Sequence, residues 1–335
     1  MIHLRRPKLD YGKSRMAQLN VLITRKIPES GIEILKEAGY HVELHEATYP
    51  LTRETFLQKI ANADAVIPML SEHIDKEVID RAPKLKVIAN YAVGYNNIDI
   101  EYARTKNIYV TNTPDVLTEA TADLAWALIL SATKRIPESD QFVRQGHFNG
   151  WEPLLMLGDD VSGKTLGIIG AGRIGQAVGQ RAIGFKMNIL YYSPSAKKEF
   201  ETKTGARKCD LDELLKKSDI ISIHCPLNDQ TKHLINSTNM VKIKKGAFLI
   251  NTSRGPVVEE SALAENLKNG HLGGAGLDVY EFEPEVYPEL LNLNNVVLLP
   301  HIGSATKETR GAMAKIAAEN VKSVLSGGKP LNPVW

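Results

Sequence analysis

The segment that most constrains this chain is Gly170-Ala171-Gly172-Arg173-Ile174-Gly175. It follows an apolar run, Leu166-Gly167-Ile168-Ile169, and opens a helical stretch, Gln176 to Ile183. Glycines at this spacing need a strand before them and a helix after them to mean anything, and both flanks are present. The first glycine permits a tight turn. The second lets backbone approach a pyrophosphate, and the third lets the helix pack closely on the strand. The helix N-terminus offers unpaired N–H groups and positive potential to a phosphate. A glycine-rich turn in an ordinary α/β protein is the bland alternative. The loop predicts a dinucleotide-binding site on a parallel sheet.

The rest of the chain carries the strands and helices such a sheet needs. Asn20 to Thr24, Ala65 to Ile67, Lys86 to Ala89 and Ile108 to Thr111 read as strands, with a helical spacing from Pro28 to Ala38. A long helix is expected from Thr118 to Lys134, stopped by Pro137, and then a loop from Gly146 to Gly163. A second series follows: Leu166 to Ile169, Asn188 to Tyr192, Asp219 to Ile223, Ala247 to Ile250, Gly274 to Leu277 and Val296 to Leu299. Strands alternating with helices imply βαβ units. The expected fold is α/β in two domains: a Rossmann doubly wound parallel sheet over 114–301 and a flavodoxin-like α/β substrate domain over 16–113 and 302–335. A helix from Thr306 to Leu325 is assigned to the substrate domain. The chain then crosses twice, leaving a cleft.

Composition supports a globular chain and excludes several classes. Of 335 residues, 43% are hydrophobic and 24% charged, which rules out a largely disordered chain. The net charge is +2, from 41 basic and 39 acidic residues. Residues 1–15 carry Arg5, Arg6, Lys8, Lys13 and Arg15 against Asp10, so the remainder is slightly acidic. That argues against nucleic acid as a partner. Residues 1–15 lack an apolar stretch and are expected to be a disordered leader. No apolar run reaches the roughly 18 residues of a membrane span. Cys209 and Cys225 fit no zinc or redox motif, and two free thiols suit the cytoplasm. No histidine shows metal spacing.

Cofactor choice is read at the end of the second strand of the glycine-loop domain. An NAD site places Asp or Glu there, to accept hydrogen bonds from the ribose hydroxyls. Here the strand ends Tyr192-Ser193-Pro194-Ser195, with Lys197 and Lys198 beyond it. No carboxylate repels a 2′-phosphate, and hydroxyl and ammonium donors are available. NADP(H) is therefore expected in preference to NAD(H), which stays possible. Pro194 counts against a strong preference, since it has neither N–H nor charge.

Three strand ends carry chemistry: Asn251-Thr252-Ser253-Arg254-Gly255, Gly276-Leu277-Asp278 with Glu281-Phe282-Glu283-Pro284, and Pro300-His301-Ile302-Gly303-Ser304. Ligands of open parallel sheets bind beyond the carboxyl ends of strands. With these motifs and His224-Cys225-Pro226-Leu227, residues 19–330 resemble the D-isomer-specific 2-hydroxyacid dehydrogenases. Gly150-Trp151-Glu152-Pro153 and Asp160 to Gly167 make the chain most similar to the glyoxylate and hydroxypyruvate reductase branch.

The resemblance implies the following roles. Arg254, Glu283 and His301 are catalytic. Arg254 grips a 2-keto acid through its planar fork. His301 gives the proton, and Glu283 holds the imidazole and favours its charged form. Gly170 to Gly175, Ser193, Pro194, Ser195, Lys197, Thr121, Cys225, Pro226, Thr231, Thr252, Ser253, Asp278, His301 and Gly303 bind the cofactor, Asp278 at the nicotinamide carboxamide. Substrate is bound by Arg254 and His301, by Val93 and Gly94 through backbone N–H groups, by Leu70 as an apolar wall, and by Trp151 reaching into a partner's site. A homodimer is implied. Another dehydrogenase of 2-hydroxy acids, of 3-phosphoglycerate or D-lactate type, and a dinucleotide-sensing corepressor-like protein are the alternatives.

Overall fold

A computed structural model describes residues 18–335. The expected leader, 1–15, lies outside the described residues. The chain divides into two compact units, one running to Thr113 and resuming over Gly311–Trp335, the other Pro114–Arg310.

The first unit is built on five parallel strands: β1 (Asn20–Ile23), β2 (His41–Leu44), β3 (Ala65–Ile67), β4 (Val87–Ala89) and β5 (Tyr109–Thr111), ordered β2-β1-β3-β4-β5. That is the strand order of a flavodoxin-like sheet. β3 and β4 are buried on both faces, which is why they read as unbroken apolar runs. β2 is not expected from the sequence. It is an edge strand, largely half-exposed, and its His41-Val42-Glu43-Leu44 has too little apolar pattern to announce itself. The helix Lys307–Leu325 brings Met313, Ala314, Ala317, Ala318 and Val321 into the core, while Ala312 and Ile316 are only half-buried. Gly31 lets it approach closely, since a Cβ there would fall 2.6 Å from the Ala314 carbonyl oxygen.

The second unit holds seven parallel strands: β6 (Thr165–Ile169), β7 (Asn188–Tyr192), β8 (Arg207–Lys208), β9 (Ile220–Ile223), β10 (Phe248–Asn251), β11 (Gly274–Leu277) and β12 (Val296–Leu298). Their order is β12-β11-β10-β9-β6-β7-β8, so the order reverses beside β6. The glycine loop follows β6 at that switch point, where open α/β sheets bind ligands. Six of these strands are expected from the sequence. The seventh, β8, is two exposed residues on the edge.

Two helices pack together over this sheet. Thr118–Thr133 buries Ala122, Ala125, Trp126, Leu128 and Ile129, and Trp126 Nε1 donates to the Val178 carbonyl at 3.0 Å on helix Arg173–Ala182. Pro137 does not stop the first of these helices. It lies in the first turn of the next helix, Ile136–Arg144, where its missing N–H costs nothing. The break comes earlier, at Arg135, which sits in the left-handed region at φ 54°. No helix among the described residues is long and apolar enough to cross a membrane.

Candidate active site

The glycine loop is shaped by contacts a side chain could not survive. Gly170 has φ 95°, and a Cβ there would lie 2.5 Å from the Cys225 backbone nitrogen. A Cβ on Gly175 would lie 2.2 Å from the Gly170 carbonyl oxygen. Gly172 differs: it caps helix Arg173–Ala182, and a Cβ there would meet nothing within 4 Å. Two glycines are thus demanded by the fold itself, while the third faces open space at a ten-residue helix's N-terminus. That is the cradle a pyrophosphate fits. Arg173 pairs with Asp115 at 2.6 Å. Ala171 is buried and Ile174 half-buried.

At the end of β7, Ser193 is buried, while Pro194 and Ser195 are exposed. Lys197 Nζ donates to Ser195 Oγ at 3.0 Å, and its backbone N–H to the Tyr191 hydroxyl at 2.8 Å. Cys225 is buried, and burial pushes its thiol up to about 11. Thr231 Oγ1 donates to the Pro226 carbonyl at 2.6 Å, closing the turn after β9.

Arg254 follows β10 on a turn organised by Asn251. The Asn251 side chain donates to the Arg254 carbonyl at 2.9 Å and accepts from Ser253 N and Ser253 Oγ, both at 3.0 Å. Arg254 Nη1 donates to the Ser253 carbonyl at 2.7 Å. Burial lowers the pKa of the guanidinium, and the charge of Glu283 acts against that. Thr252 Oγ1 lies 3.5 Å from His224 Nδ1, whose other nitrogen meets Ser222 Oγ at 2.7 Å. Burial pushes His224 down to about 3, so it stays neutral. It ties two strand ends together, as packing rather than proton chemistry.

Asp278, nearly fully buried, follows β11. Its two oxygens accept from Ile302 N at 2.7 Å and Gly303 N at 2.8 Å, so it shapes the turn that carries His301. Burial raises its pKa beyond what those N–H groups and the charge of His301 offset. Thr121 borders the same turn: a Cβ on Gly303 would lie 3.4 Å from Thr121 Cγ2.

His301 follows β12 at φ 55°, a conformation rare outside glycine that functional turns tend to hold. Its Nδ1 meets Glu283 Oε2 at 2.9 Å, and Glu283 Oε1 accepts from Tyr280 N at 3.1 Å. Burial raises the pKa of Glu283, but the bond and charge of His301, the Tyr280 N–H and Arg254 outweigh it and hold the carboxyl below its ordinary value. Of the neighbouring acids, Glu281 is engaged with His233 at 2.5 Å, and Glu285 is exposed. Of these three glutamates, Glu283 is the one hydrogen-bonded to His301. Asn251 and Tyr280 escape a reading of the sequence; an Asn closing a strand before a Ser-Arg-Gly turn is the signal that could find the first.

Leu70 and the Val93-Gly94 loop belong to the first unit, past the ends of β3 and β4, all partly exposed. The Val93 and Gly94 carbonyls accept from Asn112 and Asn90 side chains, each at 2.8 Å. Trp151 is 84% exposed, on the segment between helix Ile136–Arg144 and β6. Among the described residues no group of His, Cys, Asp or Glu is arranged to hold a metal ion.

Residues 126–303 match the family described as D-isomer specific 2-hydroxyacid dehydrogenase, NAD binding domain. A glyoxylate reductase of Thermococcus onnurineus is 51% identical over 314 residues, covering 92% of this chain and 94% of that one. The crystal structure of the TT0316 protein from Thermus thermophilus superposes with a TM-score of 0.89 at 44% identity, over 95% of this chain and 100% of that one. The NADPH-dependent glyoxylate/hydroxypyruvate reductase of Sinorhizobium meliloti, solved with NADP and malonate, gives a TM-score of 0.83 at 32% identity, over 95% of this chain and 97% of that one. The chain therefore belongs to the D-isomer specific 2-hydroxyacid dehydrogenases and is an oxidoreductase that works with a nicotinamide dinucleotide.

Proposed function

We propose that this enzyme reduces a small 2-keto acid, glyoxylate or hydroxypyruvate, to the 2-hydroxy acid, and that it prefers NADPH to NADH. The observation that carries the reading is the meeting of Glu283, His301 and the charge of Arg254 just past the ends of β10, β11 and β12. The names of the Thermococcus and Sinorhizobium relatives support the substrate class.

A nicotinamide dinucleotide held at the glycine loop would supply the hydride. The chain's own residues do the rest. Arg254 holds the substrate carboxylate and carbonyl through its always-charged, planar fork. As hydride reaches the carbonyl carbon, negative charge grows on oxygen, and His301 gives it a proton from Nε2. Glu283 keeps the ring in place through Nδ1 and stabilises the imidazolium before transfer. Asp278 positions the His301 turn and, with Thr121, Cys225, Pro226, Thr231, Thr252, Ser253 and Gly303, lines the cofactor site. We assign carboxylate binding by backbone N–H to Val93 and Gly94, and an apolar wall to Leu70.

The cofactor preference rests on the end of β7. Ser193 stands where an NAD site places an acid, and Lys197 holds an ammonium group at Ser195. We also assign a homodimer to this chain. Ile136, Val143, Phe148, Trp151, Leu154 and Leu157 are each at least half exposed, a run of apolar surface that suits a partner subunit. Trp151 is then the residue that reaches the partner's substrate. The free thiols Cys209 and Cys225 suit the cytoplasm.

Initial rates with glyoxylate, hydroxypyruvate, pyruvate and 3-phosphohydroxypyruvate, each with NADPH and NADH, test the reading. The highest kcat/KM is expected for one of the first two with NADPH. A higher value for pyruvate or the phosphorylated acid overturns the substrate assignment, and a higher value with NADH overturns the cofactor preference.

A further inference from the structure

The turn that closes β7 is approached from a second direction. β8 pairs with β7 in parallel, Leu190 against Arg207 and Tyr191 against Lys208, and Cys209 N donates to the Tyr191 carbonyl at 3.0 Å. The backbone at 207–209 is thus pinned beside the last residues of β7. Successive strand residues project to opposite faces. Arg207 turns to Glu213, at 2.7 Å. Lys208 reaches the turn instead: its Nζ donates to the Pro194 carbonyl at 3.1 Å.

Charge pairing sets this lysine apart from several nearby lysines. Lys203 pairs with Glu199, Lys216 with Asp212 and Lys217 with Glu213. Glu201, on the helix that follows Lys197, accepts from the Tyr191 hydroxyl. Lys197 and Lys208 form an ion pair with no carboxylate among the described residues; their polar partners are Ser195 Oγ and the Pro194 carbonyl. Two uncompensated ammonium groups therefore bear on Ser193-Pro194-Ser195, a turn that carries two hydroxyls. A ribose hydroxyl has no use for two cations. A dianionic phosphate does, because each charge-assisted bond to it is stronger than a bond to a neutral group.

We propose that Lys208 is a specificity-determining residue: together with Lys197 it binds the 2′-phosphate of the dinucleotide, on a turn whose hydroxyls supply further donors. This supplies the cation that Pro194 leaves absent from the turn itself. It rests on the NADP(H) preference proposed above and traces that preference to a residue on another strand. The phosphate takes the place of the Pro194 carbonyl as the partner of Lys208, a neutral acceptor exchanged for a charged one.

Binding rather than turnover tests this most directly. Titration calorimetry on the full-length enzyme is run with 2′,5′-ADP, 5′-AMP, NADPH and NADH, for wild type, Lys208→Ala, Lys208→Gln and the control Lys203→Ala. Both Lys208 variants are expected to lose about tenfold in affinity for 2′,5′-ADP and NADPH, the worth of one charge-assisted bond at an exposed site. 5′-AMP and NADH should move less than about twofold. Lys203→Ala should match wild type. If wild type binds 2′,5′-ADP no more tightly than 5′-AMP, the NADP(H) reading itself falls and takes this inference with it. If wild type keeps the preference and the Lys208 variants keep it too, the preference stands and Lys208 is not its source. Equal weakening of all four ligands shows a structural role and likewise overturns the assignment.

Discussion

Nδ1 of His301 lies 2.9 Å from Oε2 of Glu283, and the second Glu283 oxygen is held by the Tyr280 N–H at 3.1 Å. The imidazole is therefore oriented by a carboxylate that is itself oriented. Nε2 is left without a partner among the described residues and is the nitrogen available for proton transfer. His301→Ala should lower kcat by about 10²–10⁴-fold with cofactor affinity nearly unchanged. Glu283→Gln keeps the side chain's shape but removes its charge, so it should lower kcat by a smaller factor and leave cofactor binding intact. Steady-state rates with a parallel cofactor titration check both. Near-normal turnover in His301→Ala would remove it from the mechanism.

Arg254→Lys preserves charge and loses the fork. Both KM for the keto acid and kcat should worsen, because a point charge cannot hold carboxylate and carbonyl together. A variant altered in melting temperature alone, with kinetics intact, would make Arg254 a structural residue of the Asn251 turn.

The glycine loop separates folding from binding. Gly175→Ala forces a Cβ to 2.2 Å from the Gly170 oxygen, so the helix must shift and the variant should melt well below wild type. Gly172→Ala meets nothing within 4 Å. Its backbone, at φ −77°, suits alanine, and the change of cap should cost at most about 1 kcal/mol. Its loss should appear in binding, as a raised Kd for the dinucleotide. Similar melting temperatures with unchanged affinity would show that the pyrophosphate does not pass Gly172.

Acid should act through His224. Its pKa falls from 6.5 to about 3 on burial, so the unfolded chain binds this proton more tightly than the folded one. The folded state therefore loses stability as pH drops below about 6.5, by about 2 kcal/mol near pH 4.5 after allowing for the side chain's partial exposure. Glu283, whose folded pKa is lowered, adds to the loss only at still lower pH. His224→Gln retains polar atoms toward Ser222 and Thr252 and has no proton to take up. Its melting temperature should fall less than that of wild type between pH 7.5 and 4.5; an identical fall would place the acid sensitivity elsewhere.

Much of this molecule is legible in the chain because its strands are buried on both faces. β6, β9 and β10 each announce themselves as apolar runs. β2 and β8 do not, since an edge strand is held by backbone pairing on one side and needs no apolar pattern. The same applies within the site. Arg254, Glu283 and His301 stand in recognisable motifs, whereas Asn251 acts through an amide bonding to its own turn. Lys208 depends on strand register, which local spacing does not encode. Pro137 misleads because a proline suits the start of one helix as well as the end of another.

Gly170 is set against Cys225 backbone to backbone, with no side chain in between. Such a contact has no adjustable part: rotamers cannot absorb a mismatch when both surfaces are main chain. The dinucleotide loop is therefore not a portable cassette. Grafting 170–175 onto another sheet, or exchanging it for the loop of a relative, requires the 224–225 segment to travel with it, and breeding new cofactor selectivity into this scaffold is better begun at the end of β7, where the neighbours are side chains.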